Sequence, residues 1–531
     1  MVKDKLILKE LSRYNIGTYA DIIYRNAILR ADKEAYVYGN IRVSWSQFNQ
    51  KVNRLVHGLN RLDVKIGGVI GILAWNSLEY ALFYGAAMKG GFIASPYNTR
   101  LKAQELEYLI NYSEAETIFV GPELVETINS LKAKLPKVRN YICLEKAVPG
   151  MVYFDDLLAA SSDEELDFSV LEDDPLCIIY TSGTTGVPRG ALYTHRCYMD
   201  DVRTLIVDTH ISPEDIHLQI TPLFHIAGHT HFRDIMFIGG NNVIIKNFEP
   251  KVVMQAIQDE KITYVNFVPT QLVAMLNEPD FEKYDLSSVK LFWYGGSLMP
   301  FEVLKRGVKT FGPIFAQGYG QSETGPNITH LSREGHDILD KSEEEQKRLK
   351  SAGVPDIGVH VRIVDEEDND LKPGELGEIK IQSKHMMIEY WKKPEDTKST
   401  IVKGWLHTGD IGYYDEEGYI YIVDRKKDII KTGGENVYAR EVEDILIGHP
   451  DVLEAVVIGI PDSYWVEKVH AVVVKRPGAN VTAEEIMSFC KGKIAGYKAP
   501  KSLEFVDSLP KTATGKVLKK DLRKIYQAAN S

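Results

Sequence analysis

The sequence predicts an α/β protein of two or more domains, and three observations carry that expectation. The chain has 531 residues, more than a single hydrophobic core accommodates. Its first half alternates helical and strand periodicity, the pattern of α/β layers. At "DRKKDIIK", Asp424 to Lys431, the sequence changes character and a second compact α/β unit begins.

Each element follows from its own pattern. "SWSQFNQKVNRLVHGLNRL" puts Phe48, Val52, Leu55, Val56 and Leu59 at helical spacing, with Ser44 or Ser46 as its cap. "GGVIGIL" reads as a buried strand, "SLEYALFYGAAMKG" as a helix and "TIFVG" as another strand. "LCIIY", Leu176 to Tyr180, is a short strand feeding a loop of glycine, serine and threonine. The charged stretch "SREGHDILDKSEEEQKRLKSAG" reads as a solvated loop or surface helix, and "VRIVD", "GEIKIQ" and "YIYIVD" as strands between glycine and acidic turns. Past the charged turn near Lys427, "AREVEDILIGH" and "TAEEIMSFCKGKI" are helices and "EAVVIGI" and "KVHAVVVK" are strands. A basic tail, "PKTATGKVLKKDLRK", follows.

Composition excludes several classes. With 63 Lys and Arg against 74 Asp and Glu, the net charge is −11, which argues against nucleic acid as a general partner. The four cysteines, Cys143, Cys177, Cys197 and Cys490, form no CxxC pair. That argues against a zinc ribbon or disulfide framework and fits a reducing, cytoplasmic setting. No apolar run approaches the roughly 20 residues of a membrane helix, and "MVKDKLILKELSRYN" has no apolar signal region. A homodimer is compatible with this composition.

The loop "YTSGTTGVPRG" raises the first chemical question. Thr181, Ser182, Gly183, Thr184, Thr185 and Gly186 offer backbone amides and hydroxyls to anionic oxygens, and Arg189 adds a permanent charge. It is not a Walker loop, because GxxxxGK[ST] is absent. Taken alone, the stretch is as well explained by a surface turn.

Six further motifs resolve the choice. In order they are "PLFHIAG" (222–228), "YGGSLMP" (294–300), "GYGQSETG" (318–325), "GWLHTGD" (404–410), "DRKKDIIKTGGENVYAREVE" (424–443) and "PKTATGK" (510–516). With the loop, they closely resemble the signature motifs of the adenylate-forming superfamily. That superfamily includes acyl-CoA synthetases, peptide-synthetase adenylation domains and firefly-type luciferases.

The resemblance implies a large multi-subdomain N-terminal α/β domain (1–426) and a small mobile α+β C-terminal domain (427–531). It implies ATP, Mg²⁺ and coenzyme A as cofactors and a carboxylic acid as substrate. A carboxylate attacks the α-phosphate of ATP, pyrophosphate leaves, and a thiol takes the acyl group. Such chemistry is mostly charge neutralisation and alignment. The implied roles follow. Residues Thr181 to Gly186 and Arg189 hold the β- and γ-phosphates; most family members carry lysine at the Arg189 position. Glu323 binds Mg²⁺ with Thr181 beside it, which suits an ion that keeps phosphate and water ligands. Thr324 contacts the α-phosphate, and Tyr319, between Gly318 and Gly320, stacks on adenine. Gly295, Gly296 and Ser297 line the nucleotide and acyl pockets. Asp410 and Arg425 hold the ribose. Lys516 bridges the substrate carboxylate and α-phosphate. Lys427 is the hinge, Gly433 and Gly434 admit the pantetheine chain, and Lys431 and Asn436 lie near the adenylate. His225 is a gate on the thiol's path.

Simpler readings stand beside these. Glu323 reads equally as a solvated carboxylate in a glycine-rich turn, Tyr319 as packing, and Lys516 as one cation of a lysine-rich surface. His225, His229 and His231, with Asp234, could form a metal cluster, although Gly228 weakens the helix that this needs. Departures from the family pattern are Lys384, His385 and Glu389 in "SKHMMIEYW", Ala439 for a common proline, and Val466 for a common glycine. Within the superfamily, the alternatives to CoA ligation are loading of a carrier protein and luciferase-like oxygenation. No insertion of the kind that blocks CoA use in acyl-AMP ligases is evident. The acid implied is medium-chain fatty, alicyclic or aromatic.

Overall fold

Local signals set the first elements as the sequence anticipates. Ser44 caps the helix Trp45–Arg61: its hydroxyl accepts from the Gln47 amide at 3.3 Å, and Gln47 Oε1 accepts from the Ser44 amide at 3.0 Å. Phe48, Val52, Leu55, Val56 and Leu59 form its buried face. The next helix, Leu78–Gly90, is apolar nearly all round and correspondingly buried. It ends at Gly91, whose φ of 66° suits glycine. The two helices touch at Gly85, where a Cβ would lie 2.6 Å from Val52 Cγ2.

The computed structural model describes residues 17–166, 170–181, 188–296, 299–462, 464–511 and 517–528. The chain divides into two units, Met1–His360 with Ile381–Leu406, and Val361–Lys380 with His407–Ser531.

The first unit carries two large sheets. In one, the order is Glu389–Tyr390, Arg189–Thr194, Pro175–Thr181, Ile93–Pro96, Val69–Leu73, Thr117–Val120, Asn140–Cys143, Val152–Tyr153. The strands from Pro175–Thr181 onward run parallel, and the first three pair antiparallel as a hairpin with an added edge. Val69, Leu73, Ile118, Val120 and Ile178 pack there against Leu106, Leu109, Ile110 and Ile128. The other sheet has nine strands. Its strands Tyr264–Phe267, Leu291–Gly295 and Phe315–Gln321 run parallel, and the last two end in the glycine motifs. Gly325–Leu331 then returns antiparallel to Phe315–Gln321. In open α/β sheets the carboxyl ends of parallel strands are where ligands bind.

In the second unit, Val466–Lys475 pairs with Val452–Asp462, Ile430–Thr432 and Ser502–Phe505. The helices Ala439–Ile447 and Ala483–Lys491 supply Val442, Leu446, Ile486 and Cys490 to a core with Val457, Val469 and Ala471. Leu522, from Lys519–Ala528, joins Ile458, Val472 and Val474 in a second cluster. All four cysteines are buried and unpaired.

Two details differ from expectation. The helix Ile226–Ile238 runs straight through Gly228. A Cβ there would lie 2.3 Å from the Pro222 carbonyl oxygen, so the glycine permits a close approach of the helix start to the preceding loop. The charged stretch breaks into two short helices, Arg333–His336 and Glu343–Gln346, and the turn Lys347–Lys350, with His336 and Leu349 buried. His336 Nε2 lies 2.9 Å from the Tyr294 hydroxyl, which ties this surface segment to the sheet. No helix among the described residues is long and apolar enough to cross a membrane.

Lys89 places a buried charge between the helices. Its ammonium donates to Asn49 Oδ1 at 2.6 Å, to Asn53 Oδ1 at 2.7 Å and to Glu165. Burial lowers the Lys89 pKa. Burial works to raise that of Glu165, but the charge and hydrogen bonds from Lys89 and the two asparagines outweigh it and hold the carboxyl below its ordinary range. Lys89→Met keeps the stem's volume and deletes the charge. Breaking a buried pair costs about 3–5 kcal/mol. Glu165 is 33% exposed and can rehydrate, so about 2 kcal/mol is expected from urea unfolding. A depressed carboxyl pKa stabilises the fold above the unfolded value. The difference between wild type and variant should therefore shrink as the pH falls below about 4.3.

Candidate active site

The hairpin Pro175–Thr181/Arg189–Thr194 pairs Thr181 with Arg189 directly across its mouth. Ser182, Gly183, Thr184, Thr185 and Gly186 lie outside the described residues, as do Ser297 and Lys516. A strap of chain from Met387 to Trp391 lies along the hairpin. Ile388 N donates to Leu192 O at 2.9 Å and Trp391 N to Gly190 O at 2.7 Å, with Tyr390 opposite Ala191. Met387 N donates to the Glu323 carbonyl at 2.9 Å, so one strap holds both the hairpin and the glutamate turn.

That pairing brings three side chains together. The Tyr390 hydroxyl donates to Glu323 Oε1 at 2.8 Å. The Arg189 guanidinium stacks over the Tyr390 ring, 4.2 Å from its centroid, and Nη2 lies 3.9 Å from Glu323 Oε1. Burial and the Glu323 charge raise the Tyr390 pKa, so the phenol stays protonated and can donate. Sequence reasoning singled out Arg189 and Glu323 and missed Tyr390. Its only signal was the "YW" pair that ends the stretch "SKHMMIEYW".

The glutamate turn is tightly built. The Tyr193 hydroxyl donates to Ser322 O at 2.6 Å and accepts from Gly325 N at 3.1 Å. Thr324 is fully buried, its hydroxyl accepting from Gln321 N at 2.7 Å and donating to Gly325 O at 2.8 Å. Ser322 and Tyr319 are half-buried. A Cβ on Gly320 would lie 2.4 Å from the carbonyl oxygens of Gly325 and Pro326, and one on Gly318 would lie 2.6 Å from Trp293. Gly295 pairs with Gly318 across the parallel strands, and Gly296 follows at a φ of 77°.

His225 caps the helix Ile226–Ile238, its Nδ1 accepting from Ala227 N at 3.3 Å. His229 is buried and stacks on Tyr84 with centroids 4.0 Å apart. His231 Nδ1 meets the Tyr264 hydroxyl and lies 3.3 Å from Asp234 Oδ2. Burial drives both imidazole pKa values down. Among the described residues, these histidines do not converge as metal ligands.

In the second unit, Asp410 and Arg425 face each other on antiparallel strands, Arg425 Nε donating to Asp410 Oδ1 at 3.0 Å. Asp410 is 4% exposed and Arg425 46%, so the carboxylate is fixed while the guanidinium reaches solvent. Lys427 lies in the turn Lys426–Asp428, and burial lowers its pKa. Its neighbours are anchored: Lys426 Nζ lies 3.0 Å from Glu378 Oε2, and Arg523 Nη2 lies 2.8 Å from Asp428 Oδ1. Lys431 and Asn436 are exposed partners on a hairpin turned by Gly433 and Gly434. Both glycines have positive φ, 59° and 87°, as a tight two-residue hairpin turn requires.

The fold and the glycine turn are those of an α/β enzyme that handles a nucleotide. Residues 23–391 match the family model for the AMP-binding enzyme and residues 441–516 that for its C-terminal domain. The chain is 34% identical over 503 residues to a feruloyl-CoA synthase of Amycolatopsis sp, covering 94% of this chain and 98% of that one. It is 33% identical to the fatty acid–[acyl-carrier-protein] ligase ScoC of Streptomyces coeruleorubidus, covering 91% of each. The crystal structure of the anthranilate CoA ligase AuaEII with anthranoyl-AMP superposes with a TM-score of 0.88 at 27% identity, covering 97% of this chain and 98% of that one. The chain belongs to the AMP-binding enzyme family, within the adenylate-forming superfamily.

The side-chain cluster makes a graded prediction. In a pyrophosphate-release assay, Tyr390→Phe should lower kcat/KM for ATP about tenfold, since it removes one hydrogen bond to a carboxylate. Glu323→Gln should cost about 10²–10³-fold. Arg189→Lys keeps the charge but loses the stacked fork, and should stay within about tenfold of wild type.

Proposed function

We propose that this chain is an ATP- and Mg²⁺-dependent carboxylate:CoA ligase. In the first half-reaction a carboxylate oxygen attacks the α-phosphate of ATP, the bond to the β-phosphate breaks, and pyrophosphate leaves. In the second, the CoA thiol attacks the acyl carbon and AMP leaves.

The observation that carries the reading is the Arg189–Tyr390–Glu323 cluster at the mouth of the hairpin. It holds a permanent cation and a carboxylate side by side, and Thr181 is the partner of Arg189 across the hairpin. A lone carboxylate with a neighbouring hydroxyl suits Mg²⁺, which keeps phosphate and water ligands. When bound, that ion neutralises phosphate charge. Arg189 then serves as the second cation on the phosphates, and Tyr390 fixes the Glu323 rotamer. The half-buried Ser322, beside Glu323, is the accessible hydroxyl for the α-phosphate; Thr324, the residue the motif implies for that contact, is buried and bonded to Gln321 and Gly325, and would reach a phosphate only if its side chain turned outward.

Asp410 and Arg425 hold the ribose, and Lys516 supplies the cation between carboxylate and α-phosphate. A C-terminal domain pivoting at Lys427 then exchanges Lys516 for the Gly433–Gly434 track, which lets pantetheine approach past His225. The acid is medium-chain fatty, alicyclic or aromatic. The names of the feruloyl-CoA synthase and the anthranilate CoA ligase support the aromatic class, and that of the fatty-acid ligase ScoC the fatty class. The relationship to ScoC supports a second reading, in which a carrier protein's pantetheine replaces CoA.

Purified protein with ATP, Mg²⁺ and a panel of acids should release pyrophosphate, with CoA required for acyl-CoA and AMP release. Absence of pyrophosphate and AMP with every acid refutes the proposal, and acyl transfer to carrier protein but not to CoA selects the second reading. Lys516→Ala should lose about 10²–10³-fold in adenylation yet convert a supplied acyl adenylate to acyl-CoA at nearly the wild-type rate. Lys427→Pro should adenylate normally and fail in thioester formation; unimpaired overall turnover contradicts the hinge.

A further inference from the structure

The first unit contains a cluster of ionisable side chains that the adenylation chemistry does not use. Asp208 lies in the last turn of the helix His195–Thr209, His330 on the strand Gly325–Leu331, and Asp356 just after the edge strand Val354–Pro355. His330 is paired with Gly318 on one side and Val354 on the other, so it sits one strand away from the glycine-rich motif. Its Nδ1 is 2.6 Å from Asp356 Oδ1 and 3.5 Å from Asp208 Oδ2. One donor atom from each of the three residues lies within 4.8 Å of the other two.

The cluster is secluded and incompletely satisfied. The side chains of Asp356, Asp208 and His330 are 1%, 7% and 14% exposed. Among the described residues, neither Asp356 Oδ2 nor Asp208 Oδ2, both buried, has a hydrogen-bond donor. A protonated imidazole supplies one positive charge against two carboxylates, and its Nδ1 proton can serve only one oxygen well. Buried carboxylate oxygens are ordinarily hydrogen-bonded, paired or bound to a cation. Burial and the Asp356 charge push the Asp208 carboxyl up to about 6. Burial works to lower the His330 pKa, but the hydrogen bond and charge of Asp356 outweigh it and raise it.

We propose that Asp208, His330 and Asp356 form a structural binding site for one divalent first-row transition ion, with Zn²⁺ the best match. Two carboxylate oxygens and one imidazole nitrogen are a donor set that Zn²⁺ accepts readily. Mg²⁺ and Ca²⁺ prefer oxygen alone. Coordination through Nδ1 requires that nitrogen without its hydrogen, so binding displaces the hydrogen now shared with Asp356, to Nε2 of a neutral ring or to solvent from a charged one. The two positive charges then balance both carboxylates and give each unpartnered oxygen a ligand. The ion would join three separate elements, the end of a helix, an inner strand and an edge loop. It would brace the hairpin that begins at the Glu323 turn, without touching substrate.

The test uses the full chain, dialysed against a chelator and free of ATP. Equilibrium dialysis with Zn²⁺ should return one tightly held ion per chain, and Zn²⁺ should raise Tm. His330→Gln and Asp356→Asn should each weaken binding at least about tenfold and abolish the Tm shift. X-ray absorption on Zn²⁺-loaded wild type should show one imidazole among oxygen ligands, a result that does not depend on either variant folding. No stoichiometric uptake by wild type overturns the proposal and leaves a protonated histidine bridging two carboxylates. So does undiminished binding in His330→Gln, or a zinc shell containing sulfur or more than one imidazole.

Discussion

The pairing of the Met387–Trp391 strap with the hairpin strand Arg189–Thr194 is the constraint on which the candidate site depends. Three backbone bonds, to Gly190, Leu192 and Glu323, set where Tyr390 points. The Tyr112 hydroxyl, from the helix Ala103–Ser113, donates to Trp391 O and accepts from Gly190 N. The strap is thus tied to the α/β core beneath it. Gly190 makes room for this closeness: a Cβ there would lie 2.4 Å from Ile178 Cγ2. Shifting the strap by one residue would turn Tyr390 to the opposite face and separate it from Glu323.

With the strap in place, the electrostatics follow. Arg189 and Glu323 are close enough to attract and too far apart for a tight pair. Under the proposed function, both serve a ligand that brings negative phosphates and a metal ion. The interposed Tyr390, kept protonated by burial, donates to the carboxylate and gives its ring face to the guanidinium. One aromatic residue thereby positions two opposite charges. Preorganisation of this kind is the main route by which a protein assists phosphoryl and adenylyl chemistry.

The smaller unit shows a different use of backbone. Gly433 and Gly434 turn a hairpin, and a Cβ on Gly433 would lie 2.8 Å from the Trp465 ring. Next to that ring, Val466 holds a φ of 70° although it is β-branched and exposed. Where the family resemblance leads one to expect glycine, this chain accepts local strain, the sort of feature that gathers at functional surfaces.

Much of this was legible in the chain itself. Helix starts such as Ser44 with Gln47, the apolar faces, the strand runs and the order of the glycine motifs all depend on neighbours within a few positions. So did the membership of Arg189, Glu323, Asp410 and Arg425 in recognisable motifs. Only the tertiary structure decided what crosses the sequence: that Tyr390 meets Glu323 and Arg189, that Thr324 turns inward, and that Asp208, His330 and Asp356 converge. The physical reason is that periodicity and turn chemistry are local, whereas these contacts join residues far apart in sequence. They exist only once strand register and helix packing have been set by burial of the whole core.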